Sequence, residues 1–136
     1  MNNNIETLRL KKRAWLTRYA HKMDQIKNIE RRIQKLEDRT SSAKSPNYSG
    51  MPRGGTPITT ADLIVDKVDL EELLKEYTLE AKQLRREIID VIDTADYFSY
   101  IDVLEDRYIK LKPPKHNERY LKLFDRAIDY IEIPGI

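Results

Sequence analysis

The chain contains no cysteine. That excludes disulfides, a thiolate nucleophile and a cysteine-based zinc site. Only two histidines are present, His21 and His116. They are far apart, and neither belongs to a His-x-x-x-His pair or sits with carboxylates at metal-ligand spacing. No Gly-x-Ser-x-Gly or other nucleophile motif occurs, and the many carboxylates are spread along helix surfaces. The expectation is therefore a protein that is not an enzyme, with no catalytic residue, no cofactor and no metal. Glycine is scarce: four in 136 residues, three of them at positions 50, 54 and 55. No apolar run approaches the roughly 18 residues of a membrane span. The opening Met1-Asn-Asn-Asn stretch lacks the apolar core of a secretory leader. Together these point to a cytoplasmic chain with no membrane partner.

What the sequence does have is charge and helical periodicity. Charged residues make up 35% and hydrophobic ones 40%, a balance typical of long solvated helices. The net charge of +2 hides an asymmetry. Residues 1–40 hold 11 basic and 5 acidic side chains, while residues 60–111 hold 7 basic and 14 acidic. Such halves suit either a nucleic-acid-binding arm or two helices that neutralise each other, and the second reading is favoured.

The most regular stretch runs from Thr59 to Val91. Leu70, Leu74, Tyr77, Ala81, Leu84, Ile88 and Val91 follow alternating steps of four and three, a coiled-coil seam. Leu63 lies one heptad before Leu70. Thr59 and Asp62 resemble a capping box. A second stripe, Ile5, Leu8, Trp15, Tyr19, Met23, Ile26, Ile29, Ile33 and Leu36, predicts one helix over 5–39. Its spacing stutters between Trp15 and Met23. Between the two lies 40–58, rich in Ser, Pro and Gly, read as a linker. Arg53-Gly54-Gly55 within it is not a P-loop, since no Lys-Ser/Thr follows and no strand precedes it.

Residues 1–93 thus read as an antiparallel coiled-coil helical hairpin: helix 5–39, linker 40–58, helix 59–93. Residues 94–136 read as a small two-helix unit. Its first helix opens near Asp93-Thr94-Ala95-Asp96, with Tyr97, Ile101, Leu104, Tyr108 and Leu111 as its stripe, and ends before Pro113-Pro114. Its second helix opens at Asn117, a good N-cap, with Leu121, Phe124, Ile128 and Ile131 inward and Pro134-Gly135 as the stop. The fold class is all-α. A hairpin has little core per residue, so either the last two helices cap its end, near 1–15 and 85–95, or a second copy pairs with it as a homodimer.

Two surfaces could carry function. Lys112, Lys115, Arg119, Lys122 and Arg126 cluster around the start of the last helix. Arg119, Lys122 and Arg126 share one face there, as in a helix that enters a DNA groove. Glu118, Asp125 and Asp129 dilute that face. Tyr48, Met51 and Arg53 in the linker, and Tyr97, Tyr100 and Tyr120 in the C-terminal unit, are candidates for contact with a protein partner.

The layout and several short stretches resemble the phage-encoded ArpU and RinA type of late-gene transcriptional regulators. The shared layout is a basic first helix, a Tyr48-Ser-Gly-Met-Pro-Arg-Gly-Gly loop, an acidic helix and a short unit opening with Leu104-Glu-Asp-Arg-Tyr-Ile109. It covers about residues 15–131. The resemblance implies a sigma-factor-like helix-turn-helix, with Glu118-Arg119 and Arg126-Ala127 at recognition-helix positions. The departure is Lys110-Leu-Lys-Pro-Pro-Lys-His-Asn117, which stands where the family has a scaffold helix and cannot form one. The reading that follows is a DNA-binding transcriptional regulator acting in a bacterial host cell. The alternative is an interaction module that binds and inhibits or redirects a host protein, of the anti-CRISPR kind for example, with DNA reading lost.

Overall fold

A computed structural model describes residues 2–43 and 60–136. Within these the chain is all-α, as the periodicity predicts. Its helices are α1 (Asn2–Leu16), α2 (Arg18–Ala43), α3 (Thr60–Ile92), α4 (Phe98–Tyr108) and α5 (Glu118–Tyr130). Two compact units emerge: residues 1–23 with 80–136, and residues 24–79.

α1 and α2 form one helical run interrupted at Thr17, inside the stretch where the seam stutters. The Thr17 N–H still donates to the Arg13 carbonyl at 2.9 Å. Its hydroxyl donates to the same carbonyl at 2.6 Å. A threonine bonding back one turn in this way competes with the ladder and bends a helix. The single helix expected over 5–39 is therefore corrected to two segments, and the second continues to Ala43.

In the second unit, Ile26, Ile29, Leu36 and Leu63 are buried. Leu70, Leu74 and Tyr77 on the predicted seam of α3 are half-buried, while Ile64, Val65, Val68 and Leu79, which lie off the seam, are exposed. Lys67 of α3 pairs with Glu37 of α2 at 3.2 Å.

The first unit holds the main core. Leu16, Ile88, Ile92, Leu104, Ile128 and Ile131 are fully enclosed, with Val91, Ala95, Val103, Tyr108, Phe124, Ala127 and Ile133 around them. The last helices thus pack against the end of α1 and the end of α3, as expected. α2 and α3 run in opposite directions here: Arg18 pairs with Glu87 at 3.2 Å and Lys22 with Glu80 at 2.7 Å. Burial pushes the Tyr108 hydroxyl up to about 12.

Several expectations are corrected in this unit. Ile5 and Leu8, placed on the inner stripe, are 51% and 42% exposed. Leu16, absent from that stripe, is fully buried. Leu121, expected inward, is 49% exposed, and Ala127 takes an inner position instead. α4 opens at Phe98, beyond the expected 93–96 start that ends with Asp96. The Asp96 carboxylate accepts the Tyr130 hydroxyl, and Tyr97 takes the cap position without a side-chain bond. α4 ends at Tyr108, earlier than the prolines require, because Leu111 adopts a left-handed φ of 57°. The Lys110 N–H donates to Glu105 O, and the turn at Leu111 brings the Lys112 N–H to Asp106 O. α5 stops at Tyr130, before Pro134. Beyond it the chain is extended at Ile131, and Ile131 and Ile133 both turn into the core, the two-residue period of extended backbone.

Candidate nucleic-acid interface

The candidate surface is the outer face of α5. Asn117 starts this helix: its side-chain oxygen accepts the Tyr120 N–H at 2.7 Å. The preceding segment from Ile109 to Asn117 carries no helix, as Pro113-Pro114 dictates. Phe124, Ala127 and Ile128 face the core. Each residue turns the helix by about 100°, so Arg119, Lys122 and Arg126 fall on the side away from them. All three are exposed. With Glu118 and Leu123 they line a shallow depression of about 400 Å³.

The packing of α1 decides the charge of this face. Arg9 reaches Asp129 with two hydrogen bonds, 2.8 Å from Nε and 2.6 Å from Nη2. Arg13 binds Asp125 at 2.6 Å, and Arg9 lies 3.9 Å from the same carboxylate. Two of the three acids that dilute the basic cluster in sequence are thus turned to α1 and neutralised. Only Glu118 remains, and it pairs with Lys122 at 3.2 Å along the helix. Arg119, Arg126 and Lys115 make no ion pair among the described residues. Lys112 is drawn toward Asp106 at 3.8 Å, alongside Lys110 at 3.4 Å.

Sequence reading missed the residue that fixes the end of α5. Lys12 is 7% exposed. Its ammonium donates to Ile131 O at 2.7 Å, Ile128 O at 3.1 Å and Asp129 O at 3.4 Å. A buried cation here satisfies carbonyls that a helix end leaves without partners, and it opposes the negative end of the helix dipole. Arg9, Lys12, Arg13 and Leu16 follow the i, i+3, i+4, i+7 spacing of an inward stripe. Three of the four are charged, so a search for apolar periodicity passes over them.

The Arg9 guanidinium, through its hydrogen bonds, holds the Asp129 carboxyl below its usual value of 3.8. The folded state therefore binds this proton more weakly than the unfolded chain. The pair stabilises above the unfolded value and loses that contribution as pH falls through the folded one. Both partners are partly solvated, so the effect is small. Thermal melts from pH 6 to pH 3 should show a shallower acid-side decline in Asp129→Asn than in the wild type.

The tyrosines expected to meet a partner are partly occupied within the protein. Tyr97, Tyr100 and Tyr130 form a triad with ring centroids 5.1 to 5.7 Å apart. Tyr120 stacks on Phe124 at 6.0 Å. Tyr97 remains 56% exposed, and beside it Phe98 is 84% exposed. Tyr48, Met51 and Arg53, with the rest of 44–59, lie outside the described residues. Among the described residues no cluster of His, Asp or Glu could hold a metal ion, and no helix is long and apolar enough to cross a membrane. No family model, no curated protein and no solved structure matches the chain.

Proposed function

We propose that the chain binds duplex DNA through the outer face of α5, as a transcriptional regulator of the phage late-gene type. One observation carries this reading. Asp125 and Asp129 of α5, which would repel phosphate, are paired to Arg13 and Arg9 of α1, which leaves Arg119 and Arg126 unpaired on an exposed basic strip that Lys122 completes. Arginines on a helix face contact phosphates and, in a groove, base edges. Asn117 and Lys12 pin the two ends of the helix, so the strip is presented on a rigid element. Lys112 and Lys115 flank it on the proline segment and suit backbone phosphates.

A gel shift at low salt tests the reading. The wild type should retain duplex DNA, and Arg119→Ala with Arg126→Ala should release it while the melting temperature stays unchanged. Absence of any wild-type shift at low salt would remove the regulator reading.

A second reading is favoured by the exposed pair Tyr97 and Phe98. Two adjacent aromatics in water suit a protein partner, in line with an interaction module that acts on a host protein. Phe98→Ser should change stability by less than about 0.5 kcal/mol, since it lies outside the core. Under this reading it should also abolish a specific complex recovered from host lysate; if the complex survives the substitution, Phe98 is not the contact.

A further inference from the structure

We infer that Lys82, Arg85 and Arg86 of α3 form a second phosphate-contacting surface for duplex DNA. The inference rests on the nucleic-acid reading of α5 and extends it to a helix whose overall charge is acidic. The three residues are exposed, and with Ile89 they line a depression of about 340 Å³ that no carboxylate borders among the described residues. Their spacing at i, i+3 and i+4 puts them within one turn and on one side. Glu80 and Glu87, the acids of this stretch that pair with α2, lie beyond the inward stripe of buried Ala81 and Ile88 and half-buried Leu84, on the other edge.

The cluster contrasts with the cations that line the helix contacts of this unit. Arg9, Arg13, Arg18 and Lys22 each pair with a carboxylate on a neighbouring helix. Lys82, Arg85 and Arg86 have no ion pair among the described residues, and like charges three and four apart oppose the helix by tenths of a kcal/mol. Unneutralised cations that cost the free protein stability are what a polyanion rewards on binding, by releasing counterions. Ile89 and the arginine stems give the depression an apolar floor, over which guanidinium groups can reach outward.

Fluorescence anisotropy with a random-sequence duplex, from 50 to 200 mM salt, tests this. The triple variant Lys82→Gln, Arg85→Gln, Arg86→Gln should bind at least about tenfold more weakly at 50 mM salt. Its slope of log affinity against log salt should be shallower by about 2 to 3. Lys27→Gln, Arg31→Gln, Lys35→Gln in the other compact unit removes the same charge and should leave the slope unchanged. If the α3 triple binds with the wild-type slope, or the control triple lowers it equally, the second surface is refuted while the α5 reading stands. A wild type with no affinity for the duplex at 50 mM salt overturns both.

Discussion

Lys12→Met should lower the melting temperature by about 8–15 °C. Methionine refills the apolar volume of the lysine stem but supplies no donor. Three carbonyls at the end of α5, those of Ile128, Asp129 and Ile131, then lose the ammonium, the first and last of them at buried bonds. Hydrogen bonds to a charged group contribute about 1.5–3 kcal/mol, and each buried acceptor left without a partner costs about 1–3 kcal/mol. The carbonyls relax together, so the expected loss is about 2–4 kcal/mol, equivalent to that fall in temperature for a chain of this size. Lys11→Met, one position earlier and exposed, removes the same charge and should shift the melt by no more than about 2 °C. Equal melts for the two variants would show that Lys12 does not cap α5. Because α5 presents the basic strip, Lys12→Met should also weaken DNA retention near the melting onset.

Leu16→Ala should destabilise by about 3–4 kcal/mol. Leu16 is fully buried in the core formed by the ends of α1 and α3 with α4 and α5. Truncating a leucine in such a place removes its transfer free energy and leaves a cavity, together about 2–5 kcal/mol. The neighbours that would have to collapse into the space, Ile88, Ile92 and Leu104, are themselves enclosed, so relaxation is limited. Leu10→Ala, at 65% exposure on the same helix, should change stability by less than about 0.5 kcal/mol. Urea unfolding of the two variants, compared at equal m-value, separates the predictions.

These two residues also mark where the sequence was and was not legible. The α3 seam could be read directly, because Leu63, Ala81, Ile88 and Val91 repeat at coiled-coil spacing and are buried. Asn117 was legible as a cap because an asparagine before an amphipathic run has one dominant local use. The inward face of α1 was not. Its stripe alternates charge with a single leucine, and the partners of those charges lie more than 110 residues away on α5. Hydrophobic periodicity therefore assigned Ile5 and Leu8 to the core and left out Lys12 and Leu16. The same blindness made the strip on α5 look diluted. Asp125 and Asp129 are neighbours of Arg126 in sequence, yet in space they belong to Arg9 and Arg13. Lys82, Arg85 and Arg86 were hidden in the opposite way, averaged into a segment with twice as many acids as bases.

Under the proposed function, α5 holds DNA by an exposed strip from which Asp125 and Asp129 are withdrawn toward α1. The salt dependence of wild-type binding to a short random duplex tests it most directly, alongside Arg119→Ala with Arg126→Ala. Log affinity should fall linearly with log salt between 50 and 200 mM, and the double variant should show a slope shallower by about 2. Affinity that is independent of salt, or a slope that the double variant leaves unchanged, would contradict the claim.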